Sequence, residues 1–232
     1  MVAFGTSPPP PELASISNPF RNLDFSDLPV VQRLDVAGGT PIAFRTYGAE
    51  LSNIVIAIHG STASSRSLHP LARALAGDGI AVYAPDIRGH GDTGRRGDID
   101  RMGQLDEDLA ALVAHVRLRH VGARLMLLGF SAGGGFVLKT AAGANSPLFD
   151  HFVMLAPALG AGAPTTRLKD DPWARPHIPR FIAPSILNRF GIHVFDGLEA
   201  IAYAVPPNSA AAQTAAYSHR LAARPHPDRL RC

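Results

Sequence analysis

Apolar residues along this chain fall into two alternating textures. Short continuous runs come first: Ile54-Val55-Ile56-Ala57-Ile58, Ile80 to Ala84, Leu125-Met126-Leu127-Leu128 and Phe152-Val153-Met154-Leu155. Runs of this length with no polar alternation predict strands buried on both faces. Between them lie helical periodicities. Leu68, Leu71, Ala72 and Leu75 form one stripe within Ser64 to Ala76, followed by Gly77 and Gly79. Leu105, Leu109, Leu112, Val113 and Val116 form a second, with Asp106, Glu107 and Asp108 in its first turn and Arg117, Arg119 and His120 in its last. That polarity complements the helix dipole, and Gly122 stops the helix. The charged residues themselves read as a solvated face. Val30 to Val36 and Ile42 to Tyr47 flank Ala37-Gly38-Gly39-Thr40 and predict an opening hairpin. Strands alternating with helices give an α/β class: a mostly parallel sheet with flanking helices, whose loops gather at the carboxyl ends of the strands.

Gly129-Phe130-Ser131-Ala132-Gly133 stands between the third run and Gly134 to Ala142, which predicts a helix. A G-x-S-x-G turn between strand and helix is too tight for most side chains around the serine, whose oxygen is pushed into the open. Upstream, the first run ends in His59-Gly60-Ser61. A loop there can aim a backbone N–H at an acyl oxygen, and the N–H of Ala132 can supply a second donor.

Together with Pro85-Asp86-Ile87-Arg88-Gly89-His90-Gly91 after the second run, these motifs and their order resemble the α/β-hydrolase superfamily. The likeness is to its lysophospholipase, monoacylglycerol-lipase and serine-aminopeptidase branch, good over about residues 40 to 160 and fainter over a cap-like region after that. The resemblance implies Ser131 as the nucleophile and the N–H groups of Ser61 and Ala132 as an oxyanion hole. It gives Asp86 and His90 loop-shaping roles without chemistry. The implied activity is hydrolysis of carboxylic esters, acyl-lipid or small, through an acyl-enzyme on Ser131. Peptidase, thioesterase and acyltransferase chemistries share the same elbow.

Such enzymes place an acid and then a histidine after two strands later than the serine. Past Leu155 the best strand candidate is Ile192-His193-Val194-Phe195. Asp170, Asp171 or Asp196 could pair only with His193, His219 or His226, and none follows a strand end. The catalytic acid and histidine are therefore unassigned and read as absent. The expectation is a chain lacking the final strands, through a shifted reading frame or a truncated gene model, with an open sheet edge and slow ester turnover. The alternative is a non-catalytic hydrolase-like fragment that binds ligands at best.

The reading divides the chain into an arm (1–28), the first part of a hydrolase core (29–160), a partial helical cap (161–218) built of pieces such as Ile186 to Phe190 and Leu198 to Ala204, and an irregular basic tail (219–232). Composition adds exclusions. Of 232 residues, 46% are hydrophobic, enough for a substantial single core. The formal charge of +3 is carried wholly by four arginines and one aspartate after residue 218, so nothing calls for a nucleic-acid partner. Cys232 is the only cysteine, which excludes an internal disulfide. Gly89 to Gly94 fits G-x-G-x-x-G but opens no helix, Lys139-Thr140 lacks the glycine of a phosphate loop, and His115 and His120 are five apart. No cofactor and no metal are expected, and the partner is a small-molecule ester or acyl-lipid substrate. No apolar stretch reaches membrane-spanning length. The start is too short for a signal-peptide core, which leaves the cytoplasm as the default location and a missing upstream anchor or signal open.

Overall fold

The computed structural model describes residues 10–11, 23–37, 39–49, 52–159, 163, 173–205 and 214–222. Its main sheet holds six strands: β1 (Gln32–Leu34), β2 (Ile42–Tyr47), β3 (Asn53–Ile58), β4 (Ala81–Pro85), β5 (Arg124–Phe130) and β6 (His151–Leu155). Their spatial order is β1-β2-β4-β3-β5-β6. β1 and β2 form the opening hairpin, with Leu34 opposite Ile42. β2 joins β4 antiparallel, and every later pairing is parallel. The sheet confirms the mostly parallel α/β class.

Alternation along the central strands explains their continuous hydrophobicity. Ile54, Ile56 and Ile58 of β3 join Phe44, Tyr83, Leu125 and Leu127 on one face. There they meet α2 (Gln104–Arg119), through Leu109, Leu112 and Val116, and α3 (Ala132–Ala141), through Phe136 and Val137. Val55 and Ala57 point the other way, toward Leu68, just before α1 (His69–Gly77), and Ala72 within it. Each fully buried Ile or Phe contributes about 1.5–3 kcal/mol relative to exposure, so both faces must be covered. The helix stripes read from the sequence do this covering.

On α2, Glu107 and Arg119 are exposed as a solvated face requires, while Asp108 and Asp106 depart from that expectation. Asp108 accepts two hydrogen bonds from Arg88, at 2.7 and 2.9 Å, and Arg88 is only 2% exposed. The Asp108 carboxylate holds the Arg88 guanidinium above its ordinary value. Asp106 pairs with Lys139 of α3 at 2.5 Å. A charge in the first turn of a helix also suits the dipole, so sequence alone does not separate a solvated carboxylate from one anchoring a buried arginine.

Beyond β6 the structure departs from the expected row of cap helices. One helix, α4 (Ile178–Asn188), is joined by a three-stranded antiparallel sheet of β7 (Ala174–Pro176), β8 (Glu199–Tyr203) and β9 (Ala216–Ser218), then by the short α5 (His219–Ala222). Leu198 to Ala204, read as helical, is mostly strand β8, while Ile192 to Phe195, the best strand candidate after Leu155, lies in a loop and turn. The inner side chains Tyr203, Tyr217 and Leu221 join the main core, which holds this layer on the sheet. Ile178, Ile182 and Ile186, four apart on α4, are each more than half exposed. Among the described residues β6 has no strand partner beyond β5, and Met154 and Leu155 on it are exposed. No described helix is long and apolar enough to cross a membrane.

Candidate active site

β5 runs straight into α3, and Ser131 is the only residue between them. Its backbone sits at φ 54° and ψ −116°, a conformation side chains rarely adopt. Three main-chain bonds hold it there. Its N–H donates to Leu155 O at 2.9 Å, and its carbonyl accepts from Ala158 at 2.9 Å and Gly135 at 3.2 Å. The surrounding glycines are forced by close approach. A Cβ on Gly129 would lie 2.2 Å from Gly133 O, and one on Gly133 would lie 2.4 Å from Ile58 O. Bare backbone is what lets α3 start directly over the end of β3.

That same approach brings the loop after β3 to the serine. A Cβ on Gly60 would fall 3.3 Å from the Ser131 Cβ, which puts Gly60-Ser61 beside the elbow. Ala132 opens α3, so its N–H belongs to a helix N-terminus, where partial positive charge favours an anion. Ser61, Ala132 and Ser131 are thus drawn into one neighbourhood.

The two histidines of the motifs are buried supports. His59 accepts the Ile87 N–H on Nε2 at 3.1 Å, while Nδ1 faces Gly60 O at 2.8 Å. An accepting Nε2 requires a neutral ring with its proton on Nδ1, donated to Gly60 O. The ring therefore ties the loop after β3 to that after β4. His90 packs edge-on against it at 5.0 Å. Asp86 adds a second tie, accepting N–H bonds from Ser65 at 2.6 Å and Asp92 at 3.0 Å. Gly91, at φ 50°, leaves the room that this carboxylate needs.

The candidate acids and histidines after Ser131 go elsewhere. Asp196, 5% exposed, lies 3.1 Å from His193 Nδ1 and 3.2 Å from His219 Nδ1. His219 Nε2 meets Ser185 Oγ at 3.1 Å. Asp170, Asp171 and His226 lie outside the described residues. Among the described residues no histidine is hydrogen-bonded to the Ser131 hydroxyl. No described group of His, Cys, Asp and Glu is arranged to hold a metal. Tyr217 was not legible as part of this neighbourhood. Its hydroxyl accepts the Thr62 N–H at 2.7 Å from 155 positions away, and nothing near it in sequence signals that contact.

A six-stranded sheet with this order and a serine elbow after β5 is the α/β-hydrolase fold, and solved relatives share it. A soluble variant of monoglyceride lipase from Saccharomyces cerevisiae superposes with a TM-score of 0.57 at 18% identity, over 85% of this chain and 66% of that one. The monoacylglycerol lipase of Paleococcus ferrophilus gives a TM-score of 0.57 at 21% identity, over 79% of this chain and 68% of that one. The family model for serine aminopeptidase, S33, matches residues 49–191, more than half of the chain, and the chain belongs to that family of hydrolases. A monoacylglycerol lipase of Mycolicibacterium smegmatis is 30% identical over 128 residues, 53% of this chain and 45% of that protein. The chain thus spans less than half the length of that relative.

Proposed function

We propose that Ser131 is the acyl acceptor of a serine ester hydrolase acting on carboxylic esters, acyl-lipid or small, with the N–H groups of Ser61 and Ala132 as the oxyanion hole. The observation that carries this reading is the strained backbone of Ser131, φ 54°, held against Gly60 at a helix N-terminus. Strain of this kind costs about 1–3 kcal/mol and persists where surrounding structure enforces it. In the reaction the Ser131 oxygen bonds to the ester carbonyl carbon and the carbon–oxygen bond to the leaving alcohol breaks. The serine proton leaves with that alcohol, and water then releases the acid and restores the serine. Support for an acyl-lipid substrate comes from the relatives named as monoacylglycerol lipases and from the exposed Ile178, Ile182 and Ile186 on α4.

An unassisted serine is a weak nucleophile, and the described residues give Ser131 no histidine. On this reading slow acylation is the expected outcome for the chain. The second reading, a hydrolase-like fragment without turnover, is favoured by that same commitment of His193 to Asp196 and of His219 to Ser185. The test is incubation with a fluorophosphonate and with p-nitrophenyl butyrate, followed by peptide mass mapping. The first reading expects a single adduct on Ser131, absent from Ser131→Ala. Ester hydrolysis unchanged by Ser131→Ala refutes it, and absence of any adduct leaves the fragment reading standing.

A further inference from the structure

We propose that Tyr217 is a positioning residue for the oxyanion loop, a role that rests on the reading of Ser131 as acyl acceptor. Thr62 follows Ser61 and lies at φ 65°, where a β-branched side chain is strained. It is 1% exposed, so its main-chain groups need partners inside the protein. Both find one on the segment leading through β9. The Thr62 N–H donates to the Tyr217 hydroxyl at 2.7 Å, and the Thr62 carbonyl accepts the Thr214 N–H at 3.3 Å.

The Tyr217 hydroxyl is itself aimed by His90. It stands 2.6 Å from His90 Nε2, and the two rings meet edge-on at 5.1 Å. His90 Nδ1 faces Arg88 O at 3.4 Å, which assigns the proton to Nδ1 and leaves Nε2 to accept from the phenol. The hydroxyl thus accepts from Thr62 and donates to His90. Phenylalanine would keep the ring and lose both bonds. The segment is anchored further along by the Ser218 N–H on Gly97 O at 2.7 Å and by Ser218 Oγ on Asp98 Oδ1 at 2.6 Å.

The consequence for the site follows from peptide geometry. The Thr62 N–H belongs to the planar Ser61–Thr62 peptide, so its bond to Tyr217 fixes the rotation of that plane. On the other side, the Gly60 carbonyl belongs to the Gly60–Ser61 peptide and takes the His59 Nδ1 hydrogen at 2.8 Å. Ser61 is therefore suspended between two held peptides, and its own N–H has one direction. Preorganised donors work because they do not reorganise when charge develops. A loose Ser61 would have to be reordered at each acylation.

The experiment compares the full chain with Tyr217→Phe and, as a control, Tyr203→Phe, whose ring is also buried in the core. In the wild type, the Thr62 amide should exchange hydrogen as slowly as the core strands. Exchange there at the rate of a free loop overturns the proposal without any variant. In Tyr217→Phe, exchange over residues 59–63 should accelerate while β3 and β5 stay protected. The maximal rate of Ser131 labelling by a fluorophosphonate should fall about ten-fold with the probe's binding constant unchanged, a fraction of what losing a whole oxyanion donor costs. Tyr203→Phe should leave both readouts at wild-type values. Unchanged loop exchange in Tyr217→Phe, faster exchange with unchanged labelling, or equal effects from Tyr203→Phe each overturn the positioning role. Absence of wild-type labelling with a protected Thr62 amide counts against Ser131 as acyl acceptor, and therefore against any catalytic purpose for the tie.

Discussion

Gly60 faces Ser131 across a space too small for a side chain: a Cβ on Gly60 would sit 3.3 Å from the serine Cβ and 3.4 Å from the Phe130 ring. Two loops separated by about seventy positions in sequence meet at that point. The close approach exists because the elbow is built of glycines on both sides, so α3 begins within touching distance of the end of β3. Two consequences of that crowded architecture, and one of burial elsewhere in the core, can be measured.

Replacing Ser131 by glycine should stabilise the protein while abolishing acyl labelling. At φ 54° the serine is in a region where glycine carries no Cβ penalty. Relief of about 1–3 kcal/mol of strain, less about 0.5–1 kcal/mol for the greater freedom of unfolded glycine, leaves a net gain of about 1 kcal/mol. A urea midpoint that falls would show the elbow to be relaxed.

Gly133→Ala and Gly77→Ala should move stability in opposite directions. A methyl on Gly133 meets Ile58 O at 2.4 Å and His59 O at 2.6 Å, both backbone, so α3 must retreat from β3. A cost of about 1–3 kcal/mol is expected, with loss of any Ser131 labelling. Gly77 ends α1 with nothing within 4 Å of its Cβ position, and alanine there should raise stability by up to about 1 kcal/mol. Thermal melts of the pair check both signs.

Acid should destabilise the fold partly through His115. Burial holds this imidazole below the ordinary histidine value of 6.5, with the neighbouring Arg119 adding to the effect. Its ring stands edge-on to Phe44 at 5.5 Å, and its Nδ1 takes a hydrogen bond from Arg119 at 3.3 Å. With the folded value depressed, the unfolded chain binds the proton first as pH falls below 6.5. The contribution is complete above that pH and is lost on descending toward the folded value. Denaturation midpoints at pH 7.5 and pH 5.5 should differ less for His115→Gln than for the wild type, and equal differences would remove His115 from the account.

How much of this was legible depends on whether the signal was local. Ile54–Ile58 and Leu125–Leu128 declare themselves because strands covered on both faces tolerate no polar alternation. The elbow declares itself because backbone crowding writes glycine into the sequence at fixed offsets from Ser131. The layer after β6 gave no such sign. β7 and β9 are three residues each, and β7 contains Arg175 and Pro176, residues that argue against a strand unless it lies at a sheet edge, where β7 does lie. In sequence Asp108 is one more first-turn carboxylate beside the exposed Glu107, and only Arg88 on a distant loop distinguishes it. Tyr217 is known for what it does only once Thr62 stands beside it.

The 155 positions between Thr62 and Tyr217 also order events in time. Among the described residues the six strands of the main sheet all precede β9, so they can pair while β9 is still unsynthesised on the ribosome. Closing so long a loop carries a large entropic cost, which is offset only after the platform that receives it exists. The order of the chain thus lets the scaffold form first and leaves the loop beside Ser131 to be tied down last.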